Sequence, residues 1–112
     1  MRILIVDPEY LVAMEAERIL REAFLCDTQI VMPRDFVEAL RSSRYDVLLL
    51  DDGLTLQPDT RARLNLADTL VVFSSLGRED AEGLPDWPGV VVVAKPFQEE
   101  RLLEAVKNAV RA

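Results

Sequence analysis

The chain alternates between short, uniformly apolar runs and longer segments in which apolar residues recur every three or four positions. Three of the uniform runs are Ile3–Val6, Val47–Leu50 and Val90–Ala94. Strands that are buried on both faces have this composition, because helices cover both sides of a parallel sheet. Two further strands are predicted over Thr28–Met32 and Leu70–Phe73.

The segments between these runs carry helical spacing. Asp7 is predicted to cap a helix, with Pro8 at its first position and Glu9 near the positive end of its dipole. The apolar face of this first helix is predicted to consist of Val12, Ala16, Ile19, Leu20 and Ala23. A second helix, containing Phe36, Val37 and Leu40, is predicted to end near Ser43, and a closing helix contains Leu102, Leu103, Val106, Ala109 and Val110.

Two segments give weaker signals. Thr60–Ala67 is compatible with a short helix. Gly77–Gly89 contains three glycines and two prolines, so we expect at most a short, frayed helix there. The complete pattern is a repeated strand–helix alternation, and right-handed crossovers convert such a chain into a parallel sheet with helices on both faces. The predicted fold is therefore a five-stranded, doubly wound α/β domain over residues 1–112.

The amino-acid composition excludes several classes of function. The 112 residues carry a formal net charge of −7, which disfavours binding to nucleic acid or to an anionic membrane. The chain has no histidine and one cysteine, which excludes Ser-His-Asp and Cys-His hydrolase sites, most zinc sites and an internal disulfide. The apolar runs are too short to span a bilayer, and no signal peptide precedes the first strand, so we expect a cytoplasmic protein.

Polar side chains follow four of the five predicted strands. They are Asp7 after the first, Asp51 after the third, Ser74 after the fourth and Lys95 after the fifth. Ligands of open α/β sheets bind at the carboxyl ends of the strands. A parallel sheet would therefore bring two carboxylates, a hydroxyl and an ammonium to one edge.

Four segments around these residues resemble a known family over essentially the whole chain. They are ILIVD at 3–7, YDVLLLD at 45–51, VVFSS at 71–75 and VVAKPF at 92–97. The chain resembles the receiver domains of bacterial two-component response regulators. This resemblance implies a flavodoxin-like sheet with strand order 2-1-3-4-5. It also implies a stand-alone receiver that signals through a phosphorelay and is not a metabolic enzyme.

The resemblance also implies roles for individual residues. Asp51 would be the phosphoryl acceptor, and Asp7, Asp51 and the carbonyl of Gly53 would bind Mg²⁺. Lys95, preceding a cis peptide bond to Pro96, would pair with the phosphoryl oxygens.

Ser74 would hydrogen-bond the phosphoryl oxygens after transfer. Ser75 stays an alternative, since a one-residue slip exchanges the faces of a strand. The implied partners are a histidine kinase or phosphotransfer protein and a downstream protein target, with no nucleic acid or membrane.

The sequence departs from the family pattern at several positions. Pro8 stands where a second acid usually contributes to the Mg²⁺ site, so Mg²⁺ binding is expected to be weakened. Asp52 stands where an apolar residue is usual, and Val92 where the family often has an aromatic switch. The segment from Asp51 to Ser74 is shorter than usual by about two helical turns.

These departures leave three functions open. The first is a working phospho-acceptor. The second is a degenerate pseudo-receiver, which would bind partners independently of phosphorylation. The third is a small phosphohydrolase with Asp51 as nucleophile, which is disfavoured because Gly53 stands where the common pattern requires a second acid.

Overall fold

The computed structural model describes residues 1–56, 70–76, 83–84, 87–88 and 91–111. Five parallel strands form its main sheet: β1 (Arg2–Val6), β2 (Asp27–Val31), β3 (Val47–Asp51), β4 (Leu70–Leu76) and β5 (Val91–Lys95). Their order is β2-β1-β3-β4-β5. Both the predicted architecture and the predicted strand order are confirmed.

Three α-helices are described: α1 (Tyr10–Ala23), α2 (Phe36–Ser42) and α3 (Glu99–Arg111). Short 3₁₀ helices at Pro33–Asp35 and Asp52–Leu56 follow β2 and β3. Proline at the first position of the earlier 3₁₀ helix ends β2, because it has no N–H to donate to the sheet.

The alternation of side chains along each strand separates the core into two layers. Ile5 of β1, Leu49 of β3 and Val72 of β4 pack on the face that is covered by α1 and α3. Leu50 of β3 and Phe73 of β4 pack on the opposite face, with α2 and Leu54. Both layers are required because the central strands β1 and β3 are apolar on both sides, whereas the edge strand β2 carries polar residues.

The predicted start of the first helix is wrong. Asp7 is not its cap and Pro8 is not its first residue, since α1 begins at Tyr10 with Glu9 as the N-cap residue. Glu9 has extended backbone angles and makes no capping side-chain bond. A residue that precedes proline is disfavoured in the helical conformation, which explains why the helix does not start at Asp7.

The predicted apolar face of α1 is partly correct. Ala16, Ile19 and Leu20 are buried as expected, but Ala13 is buried as well, Val12 is half-buried and Ala23 is exposed. The other helices agree more closely. On α2, Phe36 is buried and Leu40 is partly buried against the core. On α3, Leu102 and Val106 are buried and Leu103 is partly buried, and the side chains of Ala109 and Val110 lie outside the described residues.

The weaker segments differ from expectation where they are described. Within Gly77–Gly89 the structure describes two antiparallel two-residue strands, Gly83–Leu84 and Trp87–Pro88, which were not predicted. The rest of this segment lies outside the described residues, so the frayed helix stays a prediction. The predicted short helix at Thr60–Ala67 lies outside the described residues. In the described part of the chain, no helix is long and apolar enough to cross a membrane.

Candidate functional site

The carboxyl edge of the main sheet carries an ion-pair cluster built from three strand ends. Nζ of Lys95 lies 2.8 Å from Oδ2 of Asp7 and 2.5 Å from Oδ1 of Asp51. Asp7 and Lys95 are only 2% and 6% exposed, whereas the side chain of Asp51 is 16% exposed, so the cluster is mostly desolvated and meets solvent at Asp51. Side chains that are 44 and 88 positions from Lys95 in sequence are thus gathered at one point.

Sheet register explains this convergence. β1 and β4 are the neighbours of β3, and β5 pairs with β4 on the far side. Asp51 and Lys95 end their strands on the same side as Leu49 and Val93, which face α1 and α3. Asp7 follows β1 and is held by a second bond, since its Oδ1 accepts the backbone N–H of Glu9 at 2.8 Å.

Burial and ion pairing act in opposite directions on Lys95. Desolvation would lower its pKa, because a buried ammonium loses its hydration. Hydrogen bonds to Asp51 and Asp7 outweigh this effect and raise the pKa of Lys95 above its ordinary value. Lys95 is therefore a stable cation that neutralises part of the charge on the two carboxylates.

Gly53 fixes the second oxygen of Asp51. Its backbone N–H donates to Oδ2 of Asp51 at 3.0 Å, and a Cβ atom on Gly53 would lie only 2.7 Å from that oxygen. Such a distance is too short for a carbon, so the carboxylate keeps this position only if residue 53 is glycine. Gly53 therefore lies next to Asp51, but this contact uses its N–H, and the role predicted for its carbonyl oxygen stays a prediction.

The two adjacent serines face opposite sides of the sheet. Ser74 pairs with Asp51 in the β3–β4 ladder and follows Val72, which faces α1 and α3. Its hydroxyl donates to the carbonyl of Leu50 at 3.3 Å. Ser75 follows Phe73 on the other face, and its hydroxyl donates to Oδ2 of Asp52 at 2.7 Å. The register therefore favours Ser74 over Ser75 as the hydroxyl beside Asp51.

The donor set has the chemistry that Mg²⁺ prefers but is small. Asp7 and Asp51 supply hard carboxylate oxygens, and both already contact one cation, the ammonium of Lys95. Mg²⁺ commonly binds through one or two carboxylates and keeps several waters, so these residues fit it. Among the described residues, no three acidic, histidine or cysteine side chains converge. Pro8 is exposed and its side chain offers no ligand atom, and the weakened Mg²⁺ binding expected there stays a prediction.

One further feature of the site was predicted and another was not. The Lys95-Pro96 peptide bond is cis, as the resemblance to receiver domains had implied. The bond between Ser75 and Asp52 was not predicted. Its only signal was the departure at Asp52, whose acidic side chain replaces the usual apolar one.

Solved structures identify the class of fold. No family model matches the chain, and no curated protein sequence does. Among solved structures, the receiver domain of the response regulator PhyR from Erythrobacter litoralis is 23% identical with a TM-score of 0.77, over 98% of this chain and 89% of the other. A response-regulator receiver protein from Sinorhizobium medicae is 23% identical with a TM-score of 0.75, over 100% and 95%.

A third neighbour is a response regulator from Thermotoga maritima. It is 20% identical with a TM-score of 0.75, over 99% of this chain and 98% of its own. The chain therefore has the fold of response-regulator receiver domains along nearly its whole length. At these identities the likeness concerns the fold, and the chemistry of the site has to be argued from its own residues.

Proposed function

We propose that the chain is a phosphoryl-accepting receiver in a two-component relay, with Asp51 as the acceptor. The observation that carries this proposal is the buried contact of Lys95 with both Asp7 and Asp51 at the carboxyl edge of the sheet. A structural ion pair needs one carboxylate, whereas two carboxylates and an ammonium at a ligand-binding edge are suited to a transferring phosphoryl group.

The reaction would use one carboxylate oxygen of Asp51 as nucleophile. This oxygen would form a bond to phosphorus while the bond from phosphorus to the donor atom breaks, leaving an acyl phosphate on Asp51. Lys95 would then pair with a phosphoryl oxygen, and Ser74 would donate its hydroxyl to another. Asp7, Asp51 and the carbonyl of Gly53 would hold Mg²⁺, which would supply positive charge against the negative phosphoryl oxygens.

A histidine kinase or phosphotransfer protein would supply the phosphoryl group. The formal net charge of −7 argues for readout through protein contacts and against direct binding to nucleic acid. This role makes the protein a signalling component and not an enzyme with turnover. The pseudo-receiver remains a second candidate, because Pro8 removes a ligand and the described residues supply only two carboxylates.

Phosphorylation by a small donor separates these candidates. The protein is incubated with acetyl phosphate and Mg²⁺, and its intact mass is measured with time. We expect the gain of one phosphoryl group in the natural protein and none in Asp51→Asn. The matched control is Asp27→Asn, which changes an exposed acid at the opposite edge of the sheet and should be phosphorylated normally.

Each alternative predicts a different result. No mass gain, together with no response of the amide NMR spectrum to beryllofluoride and Mg²⁺, would favour the pseudo-receiver. Repeated hydrolysis of a phosphate ester that depends on Asp51 would favour the phosphohydrolase.

A further inference from the structure

A second polar pair lies at the same edge of the sheet, on the opposite face from Asp51 and Lys95. The hydroxyl of Ser75 donates to Oδ2 of Asp52 at 2.7 Å. Ser75 is 5% exposed, so its hydroxyl would be costly to bury without a partner. Hydrogen bonds to a carboxylate are stronger than those between neutral groups, which makes this pair a firm link.

This bond continues the pairing of β3 with β4 beyond the end of the backbone ladder. The last paired residues of the two strands are Asp51 and Ser74. Asp52 already belongs to the 3₁₀ helix that leaves the sheet, so the paired residues of β3 and β4 end at Asp51 and Ser74. The side-chain hydrogen bond between Ser75 and Asp52 connects the two segments one residue further, and it joins the end of β4 to the residue that directly follows the proposed acceptor.

The link also constrains Ser74. Its hydroxyl donates to the carbonyl of Leu50, so in this structure it is engaged with the backbone of β3. The bond is 3.3 Å long, which exceeds the usual range of about 2.5–3.0 Å for a hydroxyl donor, so it is weak and easily exchanged for a better acceptor. Contact of Ser74 with a phosphoryl oxygen on Asp51 requires this hydroxyl to leave Leu50. Ser74 and Ser75 are joined by one peptide bond, so any shift of the β4 backbone at Ser74 also acts on the bond from Ser75 to Asp52.

We infer that Asp52 is a positioning residue: through Ser75 it holds the end of β4 in the resting arrangement and keeps the Ser74 hydroxyl on the Leu50 carbonyl. This inference rests on the proposed function, because the step it restrains is the contact of Ser74 with a phosphoryl group on Asp51. It gives a role to the acid at position 52, which extends the site to the second face of the sheet.

The first arm of the test does not depend on phosphorylation. The ¹³Cβ and amide NMR resonances of Ser74 are compared in the natural protein, Ser75→Ala, Asp52→Ala and Ser75→Thr. Ser75→Ala and Asp52→Ala should shift the Ser74 resonances in the same direction, and Ser75→Thr, which keeps a hydroxyl, should restore them. Unchanged Ser74 resonances in both alanine variants overturn the inference.

The second arm measures the rate of phosphorylation by acetyl phosphate. Loss of the restraint should accelerate it about five- to tenfold in Ser75→Ala and Asp52→Ala, or roughly 1–1.4 kcal/mol at ~1.4 kcal/mol per factor of ten. The double variant should be no faster than either single one, because both remove the same bond. Rates within twofold of the natural protein would overturn the inference.

A control variant distinguishes the effect of losing the bond between Ser75 and Asp52 from the effect of a general loss of stability. Ser42→Ala removes a hydroxyl that bonds the carbonyl of Glu38 at the end of α2, and it should change neither readout. Thermal melts establish that each variant is folded. If Ser74 responds as expected while the natural protein accepts no phosphoryl group, the positioning role stands and the proposed function falls. If the natural protein is phosphorylated but Ser74 does not respond, only the positioning role falls.

Discussion

Single residues at the sheet edge are held by more than one contact each. Lys95 contacts two carboxylates, and each of those carboxylates accepts a backbone N–H with its other oxygen: Asp7 from Glu9 and Asp51 from Gly53. Side chains that are fixed in this way lose little further freedom when a ligand binds, which is the arrangement expected of a preorganised site.

Gly53→Ala tests this arrangement at its tightest point. The new methyl group would lie 2.7 Å from Oδ2 of Asp51, so the carboxylate or the 3₁₀ helix has to move. We expect phosphorylation by acetyl phosphate to slow by about tenfold, equivalent to ~1.4 kcal/mol of barrier. Intact mass against time measures this rate. A thermal melt serves as the folding control, and an unchanged rate would mean that the position of Oδ2 is not critical.

The helix α1 is attached to the sheet by its buried apolar face, and the ion pairs on its exposed face contribute little to the stability of the fold. α1 packs Ala13, Ala16, Ile19 and Leu20 against the sheet. Its outer face carries an ion-pair cluster, in which Arg18 contacts Glu15 and Glu22. These groups are well exposed, and pairs of this kind contribute little to stability. Packing of the apolar face is therefore the main attachment of α1.

Two leucines near the end of α1 differ in burial, so replacing each with alanine shows how much stability comes from packing in the core. Leu20 is fully buried and Leu25 is 99% exposed. Leu20→Ala should lower the free energy of unfolding by about 2–5 kcal/mol, because it removes core contacts and leaves a cavity. Leu25→Ala should change it by less than about 0.5 kcal/mol. Urea unfolding measures both values, and similar losses in the two variants would contradict the described packing of α1.

The chain contains one cysteine, and the protonation of its thiol depends on whether the protein is folded. Cys26 lies between α1 and β2, is half-buried, and contacts the carbonyl of Leu20 through its Sγ at 3.7 Å. Burial raises the pKa of the Cys26 thiol, because desolvation disfavours the thiolate. Folding of the entire chain is therefore linked to the protonation of this group.

The pH dependence of Cys26 alkylation follows from this shift. Iodoacetamide reacts with the thiolate, so the rate in the folded protein should rise at a higher pH than in the urea-unfolded protein. The unfolded chain releases the thiol proton first. Consequently, the free energy of unfolding should fall as the pH rises from the unfolded pKa of the thiol to the folded one. Equal midpoints in the two states would contradict the burial of Cys26, and Cys26→Ser provides the control without a thiol.

Several parts of the molecule were determined by the sequence alone. Uniform apolar runs predicted the parallel strands, since a strand covered on both faces has no polar side. The residues that end those runs predicted which side chains meet at the sheet edge, and Asp7, Asp51 and Lys95 do meet there. Both depend on local composition and on the topology that composition requires. The cis bond before Pro96 was implied by the resemblance to receiver domains, and the structure has it.

Other parts were decided only by the tertiary structure. Local capping rules placed the start of α1 at Asp7, but Asp7 is held by Lys95 and by the N–H of Glu9, and the helix begins at Tyr10. The choice between Ser74 and Ser75 required the register of β4 against β3, because a one-residue shift exchanges the faces. The bond from Ser75 to Asp52 joins strand ends that are distant in sequence. Local patterns cannot specify such contacts, since they arise only when two separate elements pack at a fixed register.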